Sequence, residues 1–361
     1  MTAATAMLTA AAVKAKAVEL GFDLCGIAPA VKHPRLARLA AWIDEGRAGD
    51  MHYLRDSLDE RSDPGVMLPT ARSVISLGAL YNTSAPAASD VSPDRAVIAR
   101  YAQGDDYHDV LPRRVRALLQ WMADVAGPGL EALSCVDNGP VQERVFAEQA
   151  GLGWIGKNTC VIHPKLGSWF VLAAIVTNAD FETDTPAFDQ CGSCTRCLDA
   201  CPTGAIVEPW TVDATRCLSY LNIETRTMVA EELRPFLHTR VFGCDICQEV
   251  CPWNRRAPVS ADPVWQSRPA LESSTLVDLC LRTDTEWSAV LKGSALRRAG
   301  VRRIRRTLAL AASHLPHDAA ARVLAAMAHE PSAAHPDVAE ALAWSRAQVQ
   351  ASTLSDPGTP L

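Results

Sequence analysis

Eight of the twelve cysteines in this 361-residue chain lie between positions 191 and 251, and their spacing is that of metal ligands. The first run is Cys191-Gly-Ser-Cys194-Thr-Arg-Cys197-Leu-Asp-Ala-Cys201-Pro202, a C-x2-C-x2-C-x3-C-P pattern. The second is Cys244-Asp-Ile-Cys247-Gln-Glu-Val-Cys251-Pro252, with Cys217 standing alone between the two. Thiols at such intervals either pair as disulfides or bind metal as thiolates. A reducing cytosol disfavours disulfides. Zinc takes tetrahedral sets of four, usually as paired C-x2-C units. A C-x2-C-x2-C triplet instead wraps three thiolates round one iron–sulfur cluster.

The first run has the bacterial ferredoxin spacing, in which the fourth cysteine of each run ligates the other cluster. On that rule Cys191, Cys194, Cys197 and Cys251 hold one 4Fe–4S cluster. Cys201, Cys217, Cys244 and Cys247 hold the second, with residues 218–243 inserted after Cys217. Cys25, Cys135, Cys160 and Cys280 sit in apolar sequence and are expected in the core. Two clusters conduct single electrons and break no bonds alone. The rest of the chain must therefore build the site they feed.

Hydrophobic residues make up 48% of the chain, which excludes wholesale disorder. A net charge of −6 excludes a general coat for nucleic acid, so any such contact needs a local basic patch. No apolar run is long enough to span a bilayer, so no membrane partner is expected. The first twenty residues lack a basic leader and carry Lys14, Lys16 and Glu19 at helical spacing. They read as a first helix over 8–20 rather than a signal peptide, which points to a cytoplasmic protein. Further on, the patterning predicts strands at 22–27, 72–80 and 168–177 and helices over 35–46 and 109–125, with a loop at 82–93. Residues 259–290 show no clear period. Helices return at 302–313, 318–329 and 337–350, short and closely spaced like HEAT-type repeats. The expected architecture is an α/β (α+β) catalytic domain over 1–180, a ferredoxin-like two-cluster domain over 181–258, and an all-α HEAT-like region over 259–361 whose tail frays after Ser352.

One stretch of that helical region carries Lys292, Arg297, Arg298, Arg302, Arg303, Arg305 and Arg306 with no acid among them. Like charges three and four apart on a helix repel. Such density on an acidic protein suits a phosphate backbone.

The middle of the first domain reads Val136-Asp137-Asn138-Gly139-Pro140-Val141-Gln142-Glu143-Arg144, then Gly151-Leu-Gly153-Trp154-Ile-Gly156-Lys157-Asn158 and Gly167-Ser168-Trp169-Phe170. Upstream stand Glu60-Arg61-Ser-Asp63-Pro64, Ile98-Ala99-Arg100-Tyr101 and Asp106-Tyr107-His108. With the cysteine runs and the basic stretch, this order resembles the epoxyqueuosine reductases, cobalamin-dependent iron–sulfur enzymes of tRNA modification. The resemblance covers roughly residues 15–315. It implies reduction of epoxyqueuosine to queuosine at the wobble position, the last step of queuosine biosynthesis. The substrate would be a tRNA with a GUN anticodon, the electron donor a flavodoxin or ferredoxin, and the enzyme a monomer.

The resemblance also implies residue roles. Asp137 would be the proton donor, with its pKa raised by burial between cofactor and base. Arg61, Ala99, Asp137, Val161, Ser168, Leu172, Ser219 and Asp245 would contact cobalamin, and the basic stretch would hold the tRNA. Trp154 and Tyr220 are candidates for stacking on bases. The common cobalamin motif D-x-H-x-x-G begins at Asp106-Tyr107-His108 but lacks its glycine, so His108 is assigned no cobalt. Two other readings share the cysteine pattern. One is a cobalamin-dependent reductive dehalogenase, which the missing export signal disfavours. The other is a ferredoxin-type carrier, for which 190 preceding residues are too many.

Overall fold

A computed structural model describes residues 8–84, 92, 94–272 and 274–354. Most of the loop expected at 82–93, and the tail beyond Leu354, lie outside those residues. The frame is a four-stranded sheet of β1 (Leu24–Pro29), β2 (Ser73–Leu80), β3 (Ala132–Cys135) and β4 (Phe170–Thr177). Its order is β1-β2-β4-β3, and every neighbouring pair is antiparallel. The mixed class expected from sequence is thus the α+β form.

Strand side chains alternate between faces, and here both faces are covered. All eight residues of β2 are buried. On one face Ile75, Leu77, Ala173 and Ile175 pack on helices α1 (Ala10–Glu19) and α2 (Tyr107–Ala126) through Val13, Val115 and Leu118. On the other, Val74, Ala174 and Val176 meet Val145 and Phe146 of α3 (Glu143–Gln149). Each large aliphatic side chain so buried contributes on the order of 2 kcal/mol. Helix α2 starts where Asp106 accepts the N–H of His108 at 2.9 Å, a capped beginning that places Tyr107 and His108 in its first turn.

Helices α4 (Gly300–Ala312), α5 (His317–Met327) and α6 (Pro336–Leu354) match the three expected near the C-terminus. They share one large core with Leu218, Leu221, Phe242 and Trp287. This packing crosses the expected boundaries at 180 and 258. Arg240–Phe242 pairs in parallel with Val97–Ile98, so the insertion after Cys217 ties first domain and helical end together.

The cysteine runs occupy short turns and helices against the hairpin of Trp154–Ile155 and Val161–Ile162. Gly167 fixes this joint. Its φ is +69°, and a Cβ there would lie 2.1 Å from Asn254 Oδ1. That oxygen accepts the N–H of Ser168 at 2.7 Å, while Asn254 Nδ2 donates to Ser168 Oγ at 2.9 Å. Gly167→Ala is expected to destabilise the protein by about 1–3 kcal/mol, read as a lower Tm; an unchanged Tm would show that the joint is soft.

Candidate active site

Several of the eight thiols lie near one another. Cys191, Cys197 and Cys251 lie within electrostatic reach of one another, and Cys194 belongs to the same loop, its carbonyl accepting from Lys157 Nζ at 2.9 Å. Cys217 lies beside Cys201, and Cys244 and Cys247 beside Cys217. Backbone N–H groups aim at the sulfurs. Ala205 donates to Cys201 Sγ at 3.2 Å, Lys157 to Cys191, Ser219 and Tyr220 to Cys217, Ile246 to Cys244, and Trp253 and Asn254 to Cys251. The buried indole N–H of Trp154 has no oxygen or nitrogen partner and faces Cys191 sulfur. Donors around sulfur suit thiolates that ligate a cluster. Among the described residues no three His, Cys, Asp or Glu side chains converge on a single-ion site.

Cys25, Cys135 and Cys280 are packed in or against the cores, as expected, and burial pushes each thiol up to about 12. Cys160 departs from that expectation. Its thiol is hydrogen-bonded to Cys247, because the Gly156–Cys160 turn folds onto the second cysteine run, where Asn158 Nδ2 also donates to the Cys247 carbonyl at 3.3 Å.

Above the thiols opens a cavity of about 780 Å³. Tyr101, Tyr107, Phe170 and Leu172 form its wall, and Arg35, Arg38, Arg61 and Arg144 stand among its lining. Thr159, next to Cys160, also lines it. Tyr81 lines it as well, and its hydroxyl accepts from Gln248 Nε2 at 3.3 Å between the last two cysteines. The cavity therefore backs directly onto the thiol segment.

Asp137 reaches into this cavity from a loop in which its own φ is +55°. That conformation is uncommon for a residue other than glycine and marks a constrained site. Its carboxylate does not cap the Asn138-Gly139-Pro140 turn. Oδ2 accepts from Tyr107 Oη at 2.8 Å and lies 3.0 Å from His108 Nε2, while its backbone N–H donates to Glu143 at 2.6 Å. The expected rise in its pKa is not what these contacts produce. Burial pushes the carboxyl up, but the hydrogen bonds from His108 and Tyr107 and the charges of His108 and Arg298 outweigh it and hold Asp137 below the usual carboxylate range. Glu143, pushed up to about 7 by burial and by Asp137, is the more readily protonated of the two. Sequence reasoning missed His108, Tyr107 and Glu143 as parts of the site.

Of the expected cofactor contacts, Arg61, Asp137 and Leu172 line the cavity. Ala99, Val161, Ser168 and Asp245 are buried and do not line it, and the backbone N–H of Ser219 donates to Cys217. Asp245 accepts the N–H of Arg100 at 2.8 Å, and burial pushes it up to about 7. Trp154 and Tyr220 do not face solvent. Trp154 is core, and the Tyr220 hydroxyl accepts the N–H of Asp50 at 2.7 Å.

The basic stretch is also not one surface. Arg305 and Arg306 are 1% and 0% exposed. Arg305 donates to Asp284 at 2.7 Å and to the Cys280 carbonyl at 3.0 Å. Arg306 donates to the carbonyls of Leu221, Thr225 and Thr227. Both tie loops together and cannot touch tRNA. Arg297 is paired with Asp106 and Asp109, Arg298 with Glu224, and Arg302 with Asp337. Arg303 donates to the Arg298 carbonyl, and Lys292 is exposed. Arg298 also lies 5.8 Å over the ring of Tyr53, a residue of the cavity lining. Arg305→Ala is expected to cost about 3–5 kcal/mol, because it removes the cation from Asp284 and the donors from the Cys280 and Arg282 carbonyls. Arg298→Ala should leave Tm near wild type. Equal melting of the two would contradict this division.

A family model described as "Epoxyqueuosine reductase QueG, DUF1730" matches residues 61–138, and one described as "4Fe-4S double cluster binding domain" matches residues 190–254. Among curated relatives, an epoxyqueuosine reductase of Pseudomonas aeruginosa is 41% identical over 303 residues, covering 82% of this chain and 83% of its own. That of Escherichia coli is 36% identical, covering 93% and 88%. An epoxyqueuosine reductase solved with an epoxyqueuosine-modified tRNA-Tyr stem loop superposes with a TM-score of 0.86 at 30% identity, covering 94% of this chain and 89% of that one. A Bacillus subtilis structure, described with its catalytic aspartate loop swung out of the active site, gives 0.84 at 29% identity, covering 94% and 90%.

Proposed function

The chain belongs to the epoxyqueuosine reductase family, and from that premise we propose that it reduces epoxyqueuosine to queuosine at the wobble position of tRNA. The observation that carries this is the Asp137 carboxylate, wired to Tyr107 and His108 in a cavity that meets the second cysteine run through Thr159, Cys160 and Cys247. Two 4Fe–4S clusters are held by Cys191, Cys194, Cys197 and Cys251, and by Cys201, Cys217, Cys244 and Cys247. The second lies nearer the cavity, through Cys247, Cys160 and Thr159.

The broad cavity, with its aromatic and aliphatic wall and its arginines, suits a large flat cofactor with polar edges. Arg61, Asp137 and Leu172 would hold cobalamin there, with Ala99, Val161, Ser168, Ser219 and Asp245 supporting that wall from behind. When bound, it supplies the low-potential metal chemistry that side chains lack. The chain's own residues do the rest. The wall keeps water from the reacting carbons, and Arg298 and the lining arginines take the phosphates of the anticodon loop. Asp137 delivers a proton to the departing oxygen. Lys292, Arg302 and Arg303 extend the grip along the stem, over a helical end that we read as HEAT-like. The substrate is a GUN-anticodon tRNA and the donor a small flavodoxin or ferredoxin, met by a monomer in the cytoplasm.

Expression in a bacterium lacking its own epoxyqueuosine reductase tests the assignment. Queuosine should appear in its tRNA when cobalamin is supplied and epoxyqueuosine should persist when it is withheld. Persistence in both media would refute the proposal, and queuosine in both would refute the cofactor.

A further inference from the structure

Turning an epoxide into an alkene breaks two C–O bonds, consumes two electrons and releases water, so two protons must reach one oxygen. When bound, the clusters would supply the electrons from the external donor. Asp137, held ionised, begins with no proton and carries one at a time. Its cavity is also the side from which the nucleotide enters, so a bound anticodon loop covers it. Protons must reach Asp137 from behind.

Behind it stands His108. Nε2 lies 3.0 Å from Asp137 Oδ2, and Nδ1 lies 2.8 Å from Asp106 Oδ1. Asp106 is fully buried, and its other oxygen lies 2.8 Å from Arg297 Nε. On its far side His108 lines a second cavity of about 480 Å³, with Asp105, Asp109, Arg113, Arg116 and Arg268. The ring thus lines the second cavity and meets the first through Asp137, which lines it. Ionised carboxylates only accept, so a ring between two of them donates from both nitrogens and is an imidazolium.

We propose that His108 is the proton conduit of this enzyme, carrying protons from the rear cavity to Asp137 while tRNA seals the front. The Nε2–H bond breaks as an O–H bond forms on Asp137, and Asp137 passes that proton to the departing oxygen. The ring, left with its Nδ1 proton, turns over to present that proton to Asp137 for the second passage, and the vacated Nε2, now on the side of the rear cavity, takes a proton from water there. His108 touches no substrate. It is a positioning and proton-supplying residue that acts through Asp137, and its role rests on the reductase reading.

Burial works against the charged ring, but Asp106 and Asp137 outweigh it and raise His108 to about 9. Asp109 on its own helix adds to them, while Arg113, Arg116, Arg268 and Arg297 oppose them. The folded pKa lies above the ordinary 6.5. The stability this pairing contributes is therefore whole below 6.5 and is lost as pH rises through about 9. The depressed Asp137 contributes above the usual carboxylate range and loses its contribution in acid. Turnover should hold a plateau between and fall near the upper limit.

The test uses cluster-loaded protein with cobalamin and an epoxyqueuosine stem loop. His108→Ala should slow turnover by about 100-fold or more, with stem-loop affinity and cluster spectra unchanged. Added imidazole should restore at least about tenfold through the opened rear cavity. Asp106→Asn keeps the helix cap and should move the alkaline limb of the pH–rate profile down by about one unit. In the wild-type protein, the ¹⁵N signal of His108 should titrate far above 6.5. Full turnover of His108→Ala, or loss without imidazole rescue together with an unmoved limb in Asp106→Asn, would overturn the conduit, as would an ordinary His108 titration. Failure of wild-type protein to form queuosine would instead refute the reductase reading.

Discussion

Asp137→Asn should abolish queuosine formation, lowering the rate by about 10³-fold or more, while iron content and stem-loop affinity stay at wild-type values. Asparagine has the same shape and tolerates the left-handed backbone that position 137 requires. The loop should therefore keep its place, and the hydrogen bonds from Tyr107 and His108 lose only their charged acceptor. What disappears is a group able to take a proton from the ring and release it to oxygen. The neutral amide also withdraws one of the two carboxylates that keep His108 charged, so the histidine should titrate lower in this variant. A rate within tenfold of wild type would remove Asp137 from the chemistry.

Cys217→Ala should be as severe and distinct in kind. Cys217 stands outside both C-x2-C runs, yet lies beside Cys201, Cys244 and Cys247. Losing it should drop iron from about eight to about four atoms per chain and stop turnover, since the missing cluster is the one nearer the cavity. The first cluster, on Cys191, Cys194, Cys197 and Cys251, should survive with its spectrum unchanged. Full iron content in Cys217→Ala would show that the ligand sets are drawn wrongly.

What the sequence made legible and what it hid divide along physical lines. Metal ligands on short local spacings announce themselves, and so do amphipathic helices, which is why the two-cluster character of the cysteine segment and the three C-terminal helices are legible. The buried strands were readable from their apolar runs. His108 was not, because its role is set by Asp137, far along the chain, and by a rear cavity that no local pattern encodes. The local motif asked only whether the ring could bind cobalt. Cys160 was misread for a similar reason: its apolar neighbours hid a contact with Cys247.

The basic stretch shows the opposite error. Charge density suggested a single surface, but Arg305 and Arg306 turn inward to carbonyls of residues 221–227 and 280–282. Arginine has five donors in a rigid fork and can replace water for several carbonyls at once. Irregular loops supply such carbonyl cages without any sequence signature. Burial alone would likewise raise Asp137, but two donors converge on the same oxygen.

The most direct measurement is mass spectrometry of nucleosides digested from epoxyqueuosine-bearing tRNA after one anaerobic incubation with reductant, cobalamin and the cluster-loaded protein. We predict that the wobble nucleoside loses a single oxygen to become queuosine, and keeps it when Asp137→Asn replaces the wild type. An unchanged epoxyqueuosine mass with fully loaded wild-type protein would contradict it.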